Sequence, residues 1–144
     1  MRYQLTDNLF FTSDATITKA RSLEAISGAN FIPLAPNFTM AGGLSLTKMG
    51  NFSGSFNYRY LGDRPANEDN SIVAKGYFVS DININYHLKN TTIGVSVENL
   101  FNVAWNETQF ATESRLQNEV NSVEEIHFTP GTPFFAKLSV VYQF

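Results

Sequence analysis

Counting back from Phe144, every second side chain is apolar: Tyr142, Val140, Leu138, Ala136 and Phe134. The residues between them are Gln143, Val141, Ser139, Lys137 and Phe135, and they carry the charge. A period of two belongs to an extended strand, whose successive side chains point to opposite faces. One strand of this kind cannot stand alone, so the chain must supply others to pair with it.

Five more runs obey the same rule. Leu9, Phe11, Ala15 and Ile17 oppose Thr12, Asp14, Thr16 and Thr18. Phe38, Met40, Gly42, Leu44 and Leu46 oppose Thr39, Ala41, Gly43, Ser45 and Thr47. Phe52, Gly54, Phe56, Tyr58 and Tyr60 oppose Ser53, Ser55, Asn57 and Arg59. Phe78 to Leu88 and Thr92 to Glu98 repeat the pattern. The charges inside these runs are Asp14, Arg59, Asp81, Glu98 and Lys137, and all five fall on the polar face of their strand. Simple halving at each position would place them so about once in thirty. The runs are close to the roughly 9–11 residues that cross a bilayer when tilted, longer than the strands usual in soluble domains.

The connections alternate in length. Thr47 to Asn51 and Lys89 to Thr91 are short and carry Gly or Asn for the special turn angles. About Arg21 to Pro36, Asp63 to Lys75 and Asn102 to Pro133 are long. Outer-membrane barrels have short periplasmic turns and longer extracellular loops. If Phe144 lies at the periplasmic side, both short turns fall there as well. The composition agrees: 14% aromatic, only 16% charged, yet a mean hydropathy of −0.15. Half of such a chain suits lipid and half suits water. These patterns predict an all-β fold, an antiparallel up-and-down meander of about six transmembrane strands.

The same numbers exclude other classes. There is no cysteine, so no disulfide framework or thiol chemistry. The net charge of −3 and the absence of a basic patch give no reason to expect nucleic acid. His87 and His127 have no metal-ligand spacing, and nothing points to a cofactor or to a catalytic Ser/His/Asp arrangement. The segment Met1 to Asp7 lacks the apolar core of a signal peptide, so an exported protein is expected to extend beyond this chain.

Several stretches, in order and over nearly the whole chain, carry a resemblance. They are Ala20-Arg21, Ile32-Pro33-Leu34-Ala35-Pro36, Tyr58 to Pro65, Glu68-Asp69-Asn70-Ser71, and Val97-Glu98-Asn99-Leu100-Phe101-Asn102. Glu113-Ser114-Arg115-Leu116, His127 to Pro133 and the terminal Tyr142-Gln143-Phe144 complete the series. With these motifs the chain resembles the C-terminal β-barrel segment of TonB-dependent outer-membrane receptors. The resemblance implies that residues 1–144 belong to a larger, 22-stranded barrel plugged by an N-terminal globular domain. It implies import of a scarce substrate, often a ferric siderophore, with energy delivered through TonB. The signal peptide, the TonB-contacting segment, the plug and most strands of that pattern are missing here, so the chain alone is not expected to transport.

The expected partners are therefore outer-membrane lipid, the rest of the receptor barrel and plug, TonB through the missing part, and the barrel-assembly machinery. Leu138, Val140, Tyr142 and Phe144 resemble the C-terminal signal that this machinery reads. Asp14, Arg59, Asp81, Glu98 and Lys137 are candidates to face a hydrated lumen. Arg64, Trp105, Glu113, Arg115 and His127, in the long loops, are candidates for substrate contact. Trp105 has a second reading, as part of an outer aromatic girdle. The chain as a whole also has one: a self-contained small β-barrel, in the outer membrane or lipocalin-like, whose two additional strands would lie within 102–133. An outer-membrane barrel enzyme is a third and weaker reading.

Overall fold

A computed structural model describes residues 1–26 and 28–144. Ser27, inside the predicted Arg21 to Pro36 link, lies outside the described residues. The elements are β1 (Arg2–Thr6), β2 (Leu9–Ile17), β3 (Arg21–Ile26), β4 (Ala29–Phe31), β5 (Phe38–Met49), β6 (Phe52–Leu61), β7 (Arg64–Pro65), β8 (Val73–Ala74), β9 (Tyr77–His87), β10 (Thr91–Glu98), β11 (Asn106–Ser114), β12 (Val123–Pro130) and β13 (Phe135–Tyr142). Seven of them form one antiparallel sheet in the order β1-β2-β5-β6-β9-β10-β13. The other six pair as the small hairpins β3-β4, β7-β8 and β11-β12, one in each long link.

Each main strand pairs with the next one along the chain, so the up-and-down meander is as expected, with two differences. The expected count of about six becomes seven, because Arg2–Thr6 adds a strand ahead of Leu9–Ile17. That strand has only five residues, and a register shift between Gln4 and Thr6 breaks its alternation. The second difference lies in residues 102–133. They do hold two strands, but β11 and β12 pair only with each other and stand outside the main sheet. They do not supply the extra wall strands of a small closed barrel, and the sheet ends on β1 at one side and β13 at the other.

The register runs straight across all seven strands. One row passes through Tyr3, Phe11, Leu44, Phe56, Ile82, Val97 and Ala136. Directly paired residues in an antiparallel sheet share a face, so this row and those two residues away form one apolar face. Val140 and Ile82 lie on the same face as Phe56. On the other face, Thr12, Gly43, Asn57 and Asp81 pair in series, as do Ser45, Ser55, Asn83, Ser96 and Lys137. The row Asp14, Ala41, Arg59 and Val79 belongs to it as well. The five charges Asp14, Arg59, Asp81, Glu98 and Lys137 therefore share one face.

The short turns meet at one rim. Thr47 N–H donates to Asn8 O, His87 N–H to Asn51 O and Gln143 N–H to Asn90 O, at 2.8–2.9 Å. Gly50 takes φ +60° there, as the β5-β6 turn requires. The three long links leave from the opposite rim. Among the described residues no second layer lies over the apolar face, and the substantial contacts are those between hydrogen-bonded neighbours. Leu138 and Val140 are 70% and 65% exposed. The most buried side chains lie instead where loops fold over the long-loop rim, among them Val79, Ser80 and Asn99.

Candidate functional site

The charged face and the long-loop rim meet at Trp105. This residue follows the β10-β11 bend and is held at both polar ends. Its O accepts from Gly131 N–H at 2.8 Å, and its Nε1–H donates to Thr132 O at 3.0 Å. The indole lies so close over Gly131 that a Cβ there would overlap the ring, so only glycine fits beneath it. The Tyr77 ring is 4.7 Å away, and the Arg59 guanidinium sits 5.5 Å from the indole centroid. Tyr77 pairs with Leu61 and so shares the face of Arg59. Trp105 thus packs on the charged face, and the outer-girdle reading is corrected: contacts on that face, invisible to local spacing, decide its side. In vesicles of lipids with brominated acyl chains, its emission should match that in unbrominated lipid. Trp105 is the single tryptophan of the chain, so the signal is unambiguous. Strong quenching would place it in lipid after all.

A depression of about 640 Å³ opens beside the indole, lined by Lys75, Asn102, Val103, Trp105, Pro130 and Gly131. Lys75 Nζ lies 3.6 Å from Asp63 Oδ2. The N–H of Gly76 donates to Asp63 Oδ1 at 2.7 Å and, with Lys75 beside it, holds this carboxyl below its ordinary range despite slight desolvation. The hollow itself presents Lys75 and the Trp105 indole, and behind them stand the Asp63 carboxylate, the Tyr77 ring and the Arg59 guanidinium. Such a set suits an anionic, aromatic-rich ligand through charge and cation-π attraction.

Glu113, Arg115 and His127 lie in or just beyond the β11 and β12 strands, whereas Arg64 adjoins Asp63 and pairs with Ala74 beside Lys75. Glu113 sits at the far end of β11, eight residues beyond Trp105, or roughly 25 Å at strand spacing. Its Oε2 accepts from Ser122 Oγ at 3.4 Å. Arg115 is exposed just past β11 and makes no ion pair among the described residues. His127 stacks on Phe110 with ring centroids 6.0 Å apart, and its Nε2 lies 3.8 Å from Glu125 Oε1. Arg64 is in β7 and is only 7% exposed, with Nη1 unpaired among the described residues. Of the five, Trp105 is the one that stacks with a strand charge, Arg59. Among the strand charges, Asp81 Oδ1 accepts from Asn99 N–H at 2.9 Å, and Glu98 and Lys137 are exposed.

Three amide side chains organise this rim, and sequence reasoning did not single them out. Asn99, 1% exposed at φ +49°, donates from Nδ2 to Val103 O and Thr132 O and accepts at Oδ1 from Val103 N–H. It clasps the end of β10 to the approach of β13. Gln109, 4% exposed, exchanges two bonds with the backbone of Lys75, 2.7 Å to its O and 3.0 Å from its N–H. Asn67 Nδ2 donates to Glu124 Oε2 at 3.0 Å. The bonds of Asn99 to Thr132, of Gln109 to Lys75 and of Asn67 to Glu124 each join segments far apart in the chain. The one local signal was Asn99 directly after a strand, since asparagine tolerates positive φ.

No protein-family model matches the chain, and no curated protein matches it by sequence. Solved structures do. The chain is similar to the ferric-catecholate import receptor Fiu from K12 E. coli, with TM-score 0.70 and 17% identity over 96% of this chain and 19% of that one. It is similar to the siderophore receptor PiuA from Acinetobacter baumannii, with TM-score 0.67 and 13% identity over 98% of this chain and 20% of that one. For the ferric yersiniabactin uptake receptor FyuA from Yersinia pestis the values are 0.69 and 11%, over 99% of this chain and 22% of that one. The chain therefore has the fold of about one fifth of such a receptor. These neighbours bear the names of receptors and not of enzymes.

Proposed function

We propose that this chain is the C-terminal β-barrel segment of a TonB-dependent outer-membrane receptor, which imports a ferric siderophore or similar scarce substrate with energy delivered through TonB. The observation that carries the reading is the uncovered apolar face. Seven strands present an apolar surface, and nothing among the described residues packs over it. In water such a surface far exceeds the few hundred Å² that monomers ordinarily expose. In a bilayer it needs no cover, because the ladders pair the backbone between neighbouring strands and the sheet's two edges stay open. The likeness to siderophore receptors supports the reading, and so does the rim that gathers cations and aromatic rings at the end of a polar wall.

In the whole receptor the barrel has 22 strands, and its remaining strands close the open edges of β1 and β13. Residues 1–144 form one segment of that barrel, and the plug and TonB-contacting parts belong elsewhere in the protein. Asp14, Arg59, Asp81, Glu98 and Lys137 face the hydrated lumen. Arg64, Trp105, Glu113, Arg115 and His127 line the extracellular side, with Trp105 nearest the wall. Leu138, Val140, Tyr142 and Phe144, one alternating series along the edge strand, form the surface that the barrel-assembly machinery reads. The segment alone does not transport, since it encloses no pore.

The test is the solvent the chain requires. In plain buffer it should aggregate, and in detergent micelles or lipid vesicles it should refold to a β-rich, protease-resistant form. A monodisperse monomer that melts cooperatively without detergent would overturn the membrane reading.

A further inference from the structure

The two rims differ in charge. The acids of the chain crowd the long links, whereas the turn rim holds one, Asp7, against Lys48 and Lys89. Both lysines line a depression of about 620 Å³, together with Thr47, Gly50, Asn51 and His87. A register shift between Leu46 and Met49 leaves Thr47 and Lys48 together opposite Ser53, so Lys48 joins the polar face. The His87 ring lies between two hydroxyls of that face, with Nε2 2.8 Å from Ser53 Oγ and Nδ1 3.2 Å from Thr92 Oγ1. Its N–H donates to Asn51 O at 2.8 Å, which ties the end of β9 to the β5-β6 turn. Neither lysine has a carboxylate partner among the described residues.

We propose that this depression docks an acidic peptide segment of a partner protein in the aqueous space beneath the turn rim, with one carboxylate at Lys48 and another at Lys89. The proposal rests on the reading that the apolar face lies in a bilayer, which puts this rim at the water. Gly50, Asn51 and Lys89 belong to the turns themselves, so a partner reaches the depression without entering the lumen. Spacing selects the occupant. Lys48 lies near the end of β5 and Lys89 follows β9, with β6 between those strands, so the two stems start roughly 10 Å apart. A single phosphate would have to draw both ammonium groups to one point against their mutual repulsion. An extended peptide sets the side chains of residues i and i+2 on one face roughly 7 Å apart, and two such carboxylates meet the lysines separately. A lipid finds no match here, because Thr47, Ser53, His87 and Thr92 offer an acyl chain a polar wall.

The test uses the full 144-residue chain, refolded in nonionic detergent, and a rhodamine-labelled Ser-Glu-Ser-Glu-Ser peptide, with binding read by fluorescence anisotropy. The matching Ser-Gln-Ser-Gln-Ser peptide is the uncharged control. The acidic peptide should bind roughly tenfold more tightly than the control, as expected for two exposed ion pairs. K48Q and K89Q should each weaken it about threefold, and K48Q/K89Q should bring it down to the control, with unchanged refolding yield. K19Q, which removes a lysine at the opposite rim, should bind as the unaltered chain does. Equal affinity for the two peptides would overturn the site, as would an equal loss in K19Q. Inorganic phosphate competing at the same concentration as the peptide would also overturn it, because a point anion would then suffice. A chain that never folds in detergent fails the barrel reading itself. A folded chain without preference for the acidic peptide fails this proposal alone.

Discussion

Ile82→Arg should lower the stability of the folded, membrane-inserted chain by about 2–4 kcal/mol, the cost of an arginine facing the bilayer midplane, whereas Asn83→Arg should leave insertion nearly unchanged. The two residues are adjacent in the middle of β9 and point to opposite faces. Ile82 lies in the apolar row between Phe56 and Val97. Asn83 lies in the polar row between Ser55 and Ser96. Both variants bring the same arginine to neighbouring positions, and the difference in strand propensity between isoleucine and asparagine is worth at most about 1 kcal/mol, so a larger gap between them reports the face. Folding into vesicles, scored by protease protection, measures it. Equal tolerance of the two would refute the face assignment, and with it the membrane reading. A soluble sheet with a buried partner layer would also penalise Ile82→Arg, but it would fold without lipid.

Asn99→Ala should destabilise the refolded chain by roughly 3 kcal/mol, and Asn99→Gly by less. Both variants remove three side-chain hydrogen bonds at a buried position and leave the N–H of Val103 without its partner. Alanine additionally has to hold φ +49°, which glycine accepts without steric cost. Urea unfolding in detergent gives the magnitude. Limited proteolysis gives the location: residues 99–134 should become cleavable well before the hairpin turns at the other rim. Ala and Gly variants of equal stability would mean that backbone conformation adds nothing. Unchanged proteolysis would mean that Asn99 does not hold the loop.

Much of the wall was legible in the sequence because its rule is local. Period two needs only neighbouring residues, and a one-residue slip would move every side chain to the wrong face. Asp14, Arg59, Asp81, Glu98 and Lys137 could therefore be assigned to a common face before any pairing was known. β1 escaped because five residues with a register shift show too little alternation. β11 and β12 escaped for a different reason. Glu113, Glu124, Glu125 and Ser114 leave no continuous apolar face, so the period-two test had nothing to detect. The rim was the least legible part. Gln109 meets Lys75 across 34 residues and Asn99 meets Thr132 across 33, and no local spacing encodes such meetings. The side taken by Trp105 was decided in the same way, by Tyr77 and Arg59 on strands far from it in sequence.

The amide bonds between loops have a consequence for anyone who would transplant recognition from one receptor scaffold to another. Gln109 completes the backbone of Lys75 in a different loop, Asn67 binds Glu124 across the same pair of loops, and from the third loop the N–H groups of Phe31 and Leu34 donate to Glu68 O and Pro65 O. A single loop grafted onto a foreign scaffold leaves these donors and acceptors stranded in both molecules. The loops at this rim are one inherited unit, to be exchanged together or not at all, and chimeras cut between them should lose shape before they gain a new specificity.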